Sequence, residues 1–257
     1  MTRAVPRLRI MMFMHILALD TTSEHGGAAI YSDRDCLAEV LNKSGSERYS
    51  VSLFELVEQA LAQARLNFRD IDLYAVSNGP GSFTGIRVGL AAAQGWTKAF
   101  GKPLRCVTVL EAMVEQAQPD AVWAAPILDA RRGEFFVGIY RRSDSESSGN
   151  IFQVAGEGRV VRPENLPGLL EKIAQGGQCC NLSGGKLVCL IRAHDSKARA
   201  QIESLQNAPC WVEVSGPLLG AIARLALAAH YRGETCSLDQ LDAFYIRRSD
   251  AEMNWRG

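Results

Sequence analysis

The stretches ILALDTTSEHGGAAIY (residues 16–31) and ILDARRGEFFVGIY (residues 127–140) share one pattern. In each, an apolar run ends in an aspartate, a short polar turn follows, and a second apolar run closes on Ile-Tyr. Short apolar runs bounded by turn residues read as buried strands, and two in succession read as a hairpin. A single spacing, 109 residues, separates Leu19 from Leu128, Asp20 from Asp129, Ile30 from Ile139 and Tyr31 from Tyr140. Four identities at one spacing predict an internal duplication.

The flanking sequence supports that expectation. Leu37–Leu41 reads as a third strand. Ser52 to Glu55 reads as a capping box, and Leu53, Leu56, Val57, Ala60 and Leu61 then fall on one helical face. Leu73–Ser77 is a short buried strand, residues 85–100 a helix closed by Gly101, Leu104–Val107 a strand and residues 109–118 a helix. The order β-β-β-α-β-α-β-α is the plan of a ribonuclease-H-like domain. After Asp129 a similar order resumes, with a helix over 163–174, a strand at 179–182, a helix over 196–206, a strand at 211–214 and a helix over 217–230. The expected architecture is α/β: two tandem ribonuclease-H-like lobes of the actin, sugar-kinase and Hsp70 type. Residues 1–13 are expected to be a disordered leader, 14–119 the N-terminal lobe and 120–257 the C-terminal lobe. The serine-rich stretch 143–150 is expected to be a mobile hairpin tip.

Composition narrows the functional classes. Lys+Arg and Asp+Glu balance at 28 each, which argues against a chain that grips nucleic acid by itself. The seven cysteines are scattered without a CxxC pair, and the four histidines show no HxxxH or HExxH spacing, so no metal site is expected. Free thiols fit a reducing, cytoplasmic setting. The apolar run near the N-terminus is too short to span a bilayer.

The phrase NGPGSFTGIR (residues 78–87) invites a phosphate-binding reading. It lacks the Gly-Lys-Ser/Thr ending of a Walker loop, and Thr84 stands where a dinucleotide fingerprint needs glycine. Its first reading is a turn that caps a helix through Ser82 or Thr84; direct phosphate contact is the second. Asp20, Thr21 and Thr22, with Gly79, Gly81 and Ser82, are candidate vestigial phosphate loops. The corresponding second loop, from Asp129 through Arg131 and Arg132 to Gly133, keeps the carboxylate and lacks hydroxyls.

The following helix carries Gly85, Gly89, Ala93 and Thr97 every four residues, with Ala92 beside them. A helical glycine costs about 1 kcal/mol relative to alanine, so two in one stripe imply close packing. The stripe faces either this chain's own sheet or a partner helix. For the partner reading the candidate contacts are Leu53, Leu56, Val57 and Ala60 on the first helix. Gly85, Val88, Gly89, Ala92, Ala93 and Trp96 complete the face on the second.

ILALDTTS (16–23), residues 70–104 with GPGSFTGIR at their centre, ILDARRGEFFVGIY (127–140) and FYIRR (244–248) resemble the TsaB/YeaZ family. These glycoprotease-like (M22) proteins act in bacterial N6-threonylcarbamoyladenosine modification of tRNA. The resemblance is dense over residues 14–140 and sparse beyond. It implies a non-catalytic subunit that binds the transferase TsaD through a helical bundle and assembles with the ATPase TsaE. It further implies tRNA contact only through that complex, and self-association of the isolated chain. The related TsaD carries an HxxxH metal motif where this chain reads VLEAM; Val109 and Met113 occupy the ligand positions. No cofactor is then expected on this chain alone, with ATP or ADP entering at the level of the complex. The rival expectation is a metal- or ATP-dependent enzyme of the same superfamily. Arg131, Arg132, Arg247 and Arg248 receive no assigned role.

Overall fold

The computed structural model describes residues 13–42, 48–143, 152–175, 186–205, 209–234 and 236. Residues 1–12 of the expected leader, the strand expected at 179–182, residues 144–150, and Arg247 and Arg248 lie outside the described residues.

Among the described residues, ten strands form two five-stranded sheets. The first holds β1 (His15–Asp20), β2 (Gly27–Ser32), β3 (Asp35–Leu41), β4 (Leu73–Ser77) and β5 (Leu104–Val107), in the order β3-β2-β1-β4-β5. The second holds β6 (Trp123–Asp129), β7 (Phe135–Arg142), β8 (Phe152–Val161), β9 (Leu187–Arg192) and β10 (Cys210–Val214), in the order β10-β9-β6-β7-β8. Adding five to each strand number of the first sheet gives the order of the second. The first three strands of each sheet run antiparallel, and the last two join the first strand in parallel. The duplication and the two-lobe α/β architecture are therefore present in the topology itself.

The constant spacing behind that expectation does not hold for the whole hairpin. Tyr31 pairs with Ile16 and Tyr140 with Ala124, while Leu19 pairs with Ala28 and Ile127 with Val137. With the tyrosines matched, Leu19 corresponds to Ile127, not Leu128. The burial agrees: Leu19 faces the outer core of its lobe, as Ile127 does, while Leu128 packs toward the space between the lobes. Between these matched positions the second hairpin is one residue longer, 13 steps from Ile127 to Tyr140 against 12 from Leu19 to Tyr31. Because successive side chains alternate faces, one residue moves the first strand to the opposite face.

Six α-helices cover the sheets. On the outer face of the first sheet lie α1 (Tyr49–Ala64) and α2 (Phe83–Phe100); α1 turns Leu53, Leu56, Val57, Ala60 and Leu61 onto the core. On the outer face of the second lie α4 (Leu166–Ala174) and α5 (Ser196–Glu203). Between the sheets, α3 (Val109–Ala117) and α6 (Leu219–Tyr231) pack on each other, and each crosses over. α3 follows the first sheet in sequence and packs on β6, β7, β9 and β10; α6 follows the second and packs on β1, β2, β4 and β5. One shared core, including Leu110, Met113, Leu219 and Ile222, joins both lobes. Leucine at such fully buried positions is worth about 2–5 kcal/mol against alanine, so this core couples the lobes' stabilities. Arg224 Nε donates to Glu115 Oε1 at 2.8 Å, bridging α6 and α3.

Some element boundaries differ from expectation. α1 begins at Tyr49, so Ser52 lies inside the first turn and is buried rather than capping it. The parallel neighbour of β6 among the described residues is β9, a continuous buried run Leu-Val-Cys-Leu-Ile that the expected order does not include. Among the described residues, no helix is long and apolar enough to cross a membrane.

Candidate functional site

Two regions collect the residues singled out in the sequence: the cleft between the lobes and the outer face of α1 and α2.

The cleft, about 1270 Å³, is walled by the ends of β1 and α2 on one side and of β6, β9 and α5 on the other. Its candidate phosphate loop is internally satisfied. Asp20 Oδ1 accepts from Thr22 N at 3.0 Å, Thr22 Oγ1 at 2.6 Å and Ser77 Oγ at 2.8 Å. Thr21 Oγ1 donates to Gly85 O at 2.7 Å. The hydroxyls that would meet a phosphate are thus turned inward and used, and Asp20, Thr21, Thr22 and Ser77 are all buried. Ser82 caps α2 by accepting from Gly85 N at 3.3 Å. Gly79 has φ 117°, a conformation glycine alone adopts readily, and a Cβ on Gly81 would collide with Thr22 O.

Across the cleft, Asp129 is engaged by Lys197 at 2.9 Å and by Arg131 N at 2.7 Å. Arg131 and Arg132 take left-handed backbone conformations at the tip of the β6–β7 turn and are exposed. Arg192 is 5% exposed; Nη2 donates to Gly216 O at 2.8 Å, and Nη1 has no protein partner. Burial pulls its basicity below the usual guanidinium range, partly offset by the Asp20 carboxylate. His25 and His194, one from each lobe, lie with ring centroids 4.2 Å apart and planes tilted by 39°. Burial, then Arg192 and His25, hold the His194 imidazole below its ordinary value. Neither this inter-lobe pair nor the orphaned Arg192 was singled out from sequence, since each depends on the two lobes meeting.

The small-residue stripe requires a correction. Gly85, Gly89 and Ala93 face this chain's own sheet. A Cβ on Gly85 would collide with Thr21 O, and one on Gly89 with Thr21 Oγ1. Leu53, Leu56, Val57 and Ala60 are likewise turned into the core, and Trp96 is nearly buried between Phe54, Phe68 and Tyr74. Val88 and Ala92 are half-buried at the boundary. The outward face of the two helices carries Val51 (80% exposed), Phe54 (57%) and Phe83 (39%), with Ala91, Gly95 and Ala99 along α2. A Cβ at Gly95 meets nothing within 4 Å. Arg87 lies over the Phe83 ring at 3.8 Å. Of the two directions open to the stripe, it takes the one toward this chain's own sheet; Gly95, two residues along from Ala93, lies on the open side.

Val109 and Met113 are core residues, and Met113 is fully buried. Glu111, between them, is half-buried, and its desolvation raises the carboxyl above the usual range despite Arg105 and Arg232 nearby. Among the described residues, no three His, Cys, Asp or Glu side chains gather as a metal site would require.

A family model described as "TsaD: tRNA N6-adenosine threonylcarbamoyltransferase" matches residues 38–182, more than half of the chain. The chain belongs to the TsaD family. Within it, the similarity is to the TsaB/YeaZ proteins, as residues 16–23, 70–104 and 127–140 suggested. The Bacillus subtilis tRNA threonylcarbamoyladenosine biosynthesis protein TsaB is 25% identical over 243 residues, covering 94% of this chain and 98% of that protein. The Escherichia coli TsaB is 31% identical over 155 residues, 59% of this chain and 64% of that protein. YeaZ from Pseudomonas aeruginosa, a solved structure, superposes with a TM-score of 0.65 at 24% identity, over 90% of this chain and 99% of that one. A second Pseudomonas aeruginosa structure, described as similar to peptidase YEAZ, gives 0.69 at 22%, over 91% and 100%. Both support the fold.

Proposed function

We propose that this TsaD-family chain is a non-catalytic subunit. It binds TsaD, and with it TsaE, in forming N6-threonylcarbamoyladenosine at position 37 of tRNA. The similarity to proteins named for threonylcarbamoyladenosine biosynthesis supports the pathway. The observation that carries the subunit role is the outward face of α1 and α2. There Val51 and Phe54 of α1 and Phe83 of α2 are each exposed, and Ala91, Gly95 and Ala99 leave α2 flat enough for another helix to approach. An apolar, small-residue face of this kind loses little entropy and few hydrogen bonds when covered. Its occupant in this reading is the matching helix pair of TsaD; without TsaD, a second copy of this chain takes the same place about a two-fold axis.

The non-catalytic part of the reading rests on Val109 and Met113. Their buried hydrocarbon and thioether side chains stand where the enzyme's metal ligands are expected, and they serve the core shared by the lobes. The internally bonded Asp20 loop speaks against a nucleotide site on this chain, so ATP or ADP belongs to the assembled complex. The balanced charge fits a cytoplasmic subunit that meets tRNA through its partners.

The test is reconstitution. Cognate TsaD, TsaE and the enzyme supplying threonylcarbamoyl-adenylate are incubated with tRNA, with and without this chain, and the modified nucleoside is quantified by mass spectrometry. Formation that depends on this chain supports the reading; equal formation without it contradicts it. A metal- or ATP-dependent enzyme would instead show turnover by the isolated chain.

A further inference from the structure

The edge of the first sheet carries a feature the helical face does not explain. β5 is an edge strand, and its outer backbone groups need partners. The chain beyond α6 returns to cover it: Cys236 N donates to Leu104 O at 3.0 Å. In the reverse direction, Cys106 N donates to the sulfur of Cys236 at 3.2 Å. A sulfur therefore stands where a ladder would place a carbonyl oxygen. The two cysteines meet here although they lie 130 residues apart in sequence.

We propose that Cys106 and Cys236 are an oxidant-sensitive pair, which a hydroperoxide converts to a disulfide that fixes the chain beyond α6 to the edge of β5.

Their surroundings suit the chemistry. Cys236 is partly exposed at the margin of the outer core, so a small oxidant can reach it, while Cys106 behind it is buried. The backbone N–H of Cys106 points at the Cys236 sulfur and stabilises negative charge there. Arg105 is adjacent, and its buried Nε has no protein partner. Hydrogen bonding from the Cys106 thiol lowers the Cys236 thiol to about 5, with Arg105 adding to the effect. The same bond, with burial, raises Cys106. Cys236 is thus the nucleophile and Cys106 the resolving thiol.

The steps balance. The Cys236 thiolate attacks one oxygen of hydrogen peroxide; the O–O bond breaks, a sulfenic acid forms, and the hydroxide leaves as water after taking up a proton. The Cys106 sulfur then attacks the Cys236 sulfur. The S–S bond forms, the S–O bond breaks, and the departing hydroxide takes the Cys106 proton as a second water. Two thiols are oxidised and one peroxide is reduced.

The experiment uses the full chain, reduced, freed of reductant and treated with hydrogen peroxide. Remaining thiols are alkylated, the protein is digested without reductant, and peptides are mapped by mass spectrometry. The expected product is a linked pair of peptides containing Cys106 and Cys236, two hydrogens lighter than their sum, formed while exposed Cys36 and Cys210 are still alkylated. Cys106→Ala is expected to abolish the link and leave a sulfenic acid on Cys236 that dimedone captures. Oxidation of Cys36 or Cys210 ahead of the pair would overturn the proposal. So would pairing of Cys236 with a different cysteine. The wild-type map decides even if the variant fails to fold.

Discussion

Thr21 and Gly85 meet backbone to backbone: the Thr21 hydroxyl donates to the Gly85 carbonyl at 2.7 Å, and no Cβ fits between Gly85 and the Thr21 carbonyl. This contact seats the first turn of α2 on the end of β1 and sets the helix's rotation. One glycine stripe is thereby spent inside the lobe and Gly95 is left outside. The three glycines should respond to alanine with different signs. Gly85→Ala must push the helix off the strand and is expected to cost about 3 kcal/mol, in the range of overpacking. Gly89→Ala should cost less, since the group to be moved is a side chain. Gly95→Ala should stabilise by about 1 kcal/mol through helix propensity alone. Urea unfolding of the three variants checks the order.

Asp20 is a structural acceptor in this account. Its Oδ1 collects Thr22 N, Thr22 Oγ1 and Ser77 Oγ, tying the β1 end to β4. Ser77→Ala removes one buried donor and is expected to cost about 1–2 kcal/mol, while Asp20→Ala strands three donors and should cost about 3 kcal/mol or more. Neither change should alter ATP affinity of the isolated chain, measured by calorimetry, because no phosphate site is lost. Saturable ATP binding that Asp20→Ala abolishes would restore the phosphate-loop reading.

Glu111 provides a pH test. Burial raises its carboxyl in the fold, so the native state holds its proton more tightly than the unfolded chain. Its contribution to stability is fully present below the unfolded carboxylate range. It is lost as pH rises through the folded value, leaving a half-buried charge at neutrality. Glu111→Gln keeps the shape without the charge. Its thermal midpoint should exceed that of the wild type at pH 7, and the advantage should shrink as pH falls toward about 4. A midpoint below the wild type at pH 7 would show that Arg105 and Arg232 outweigh the burial.

Much of the fold was legible because it rests on local pattern. Leu73–Ser77 and Leu104–Val107 emerge with the boundaries their apolar runs suggest. Gly101 closes α2 in the left-handed conformation expected of a glycine cap. What sequence could not give is direction and long-range pairing. Periodicity located Gly85 and Gly89 on one stripe, but both faces of α2 carry small residues. Only the close approach of Thr21 decides which face is inward. The exchange of α3 and α6 between the sheets leaves no mark on either helix, since a helix buried nearly all round shows little polar face to orient it. The run Leu187–Ile191 forms a parallel strand buried on both faces, which the expected element order does not include. The contact of His25 with His194, and the pair Cys106 and Cys236, are tertiary facts with no local signature.

The central claim is that the exposed face of α1 and α2 receives TsaD, and affinity for cognate TsaD tests it most directly. Binding is measured by calorimetry for the wild type, Val51→Asp and Gly95→Trp, with melting curves recorded for each. Both substitutions lie on the open face, so melting should be nearly unchanged. The affinity should fall by at least about thirty-fold, as for a buried contact worth about 2 kcal/mol. Wild-type affinity in both variants, or no binding by the wild type, would contradict the account.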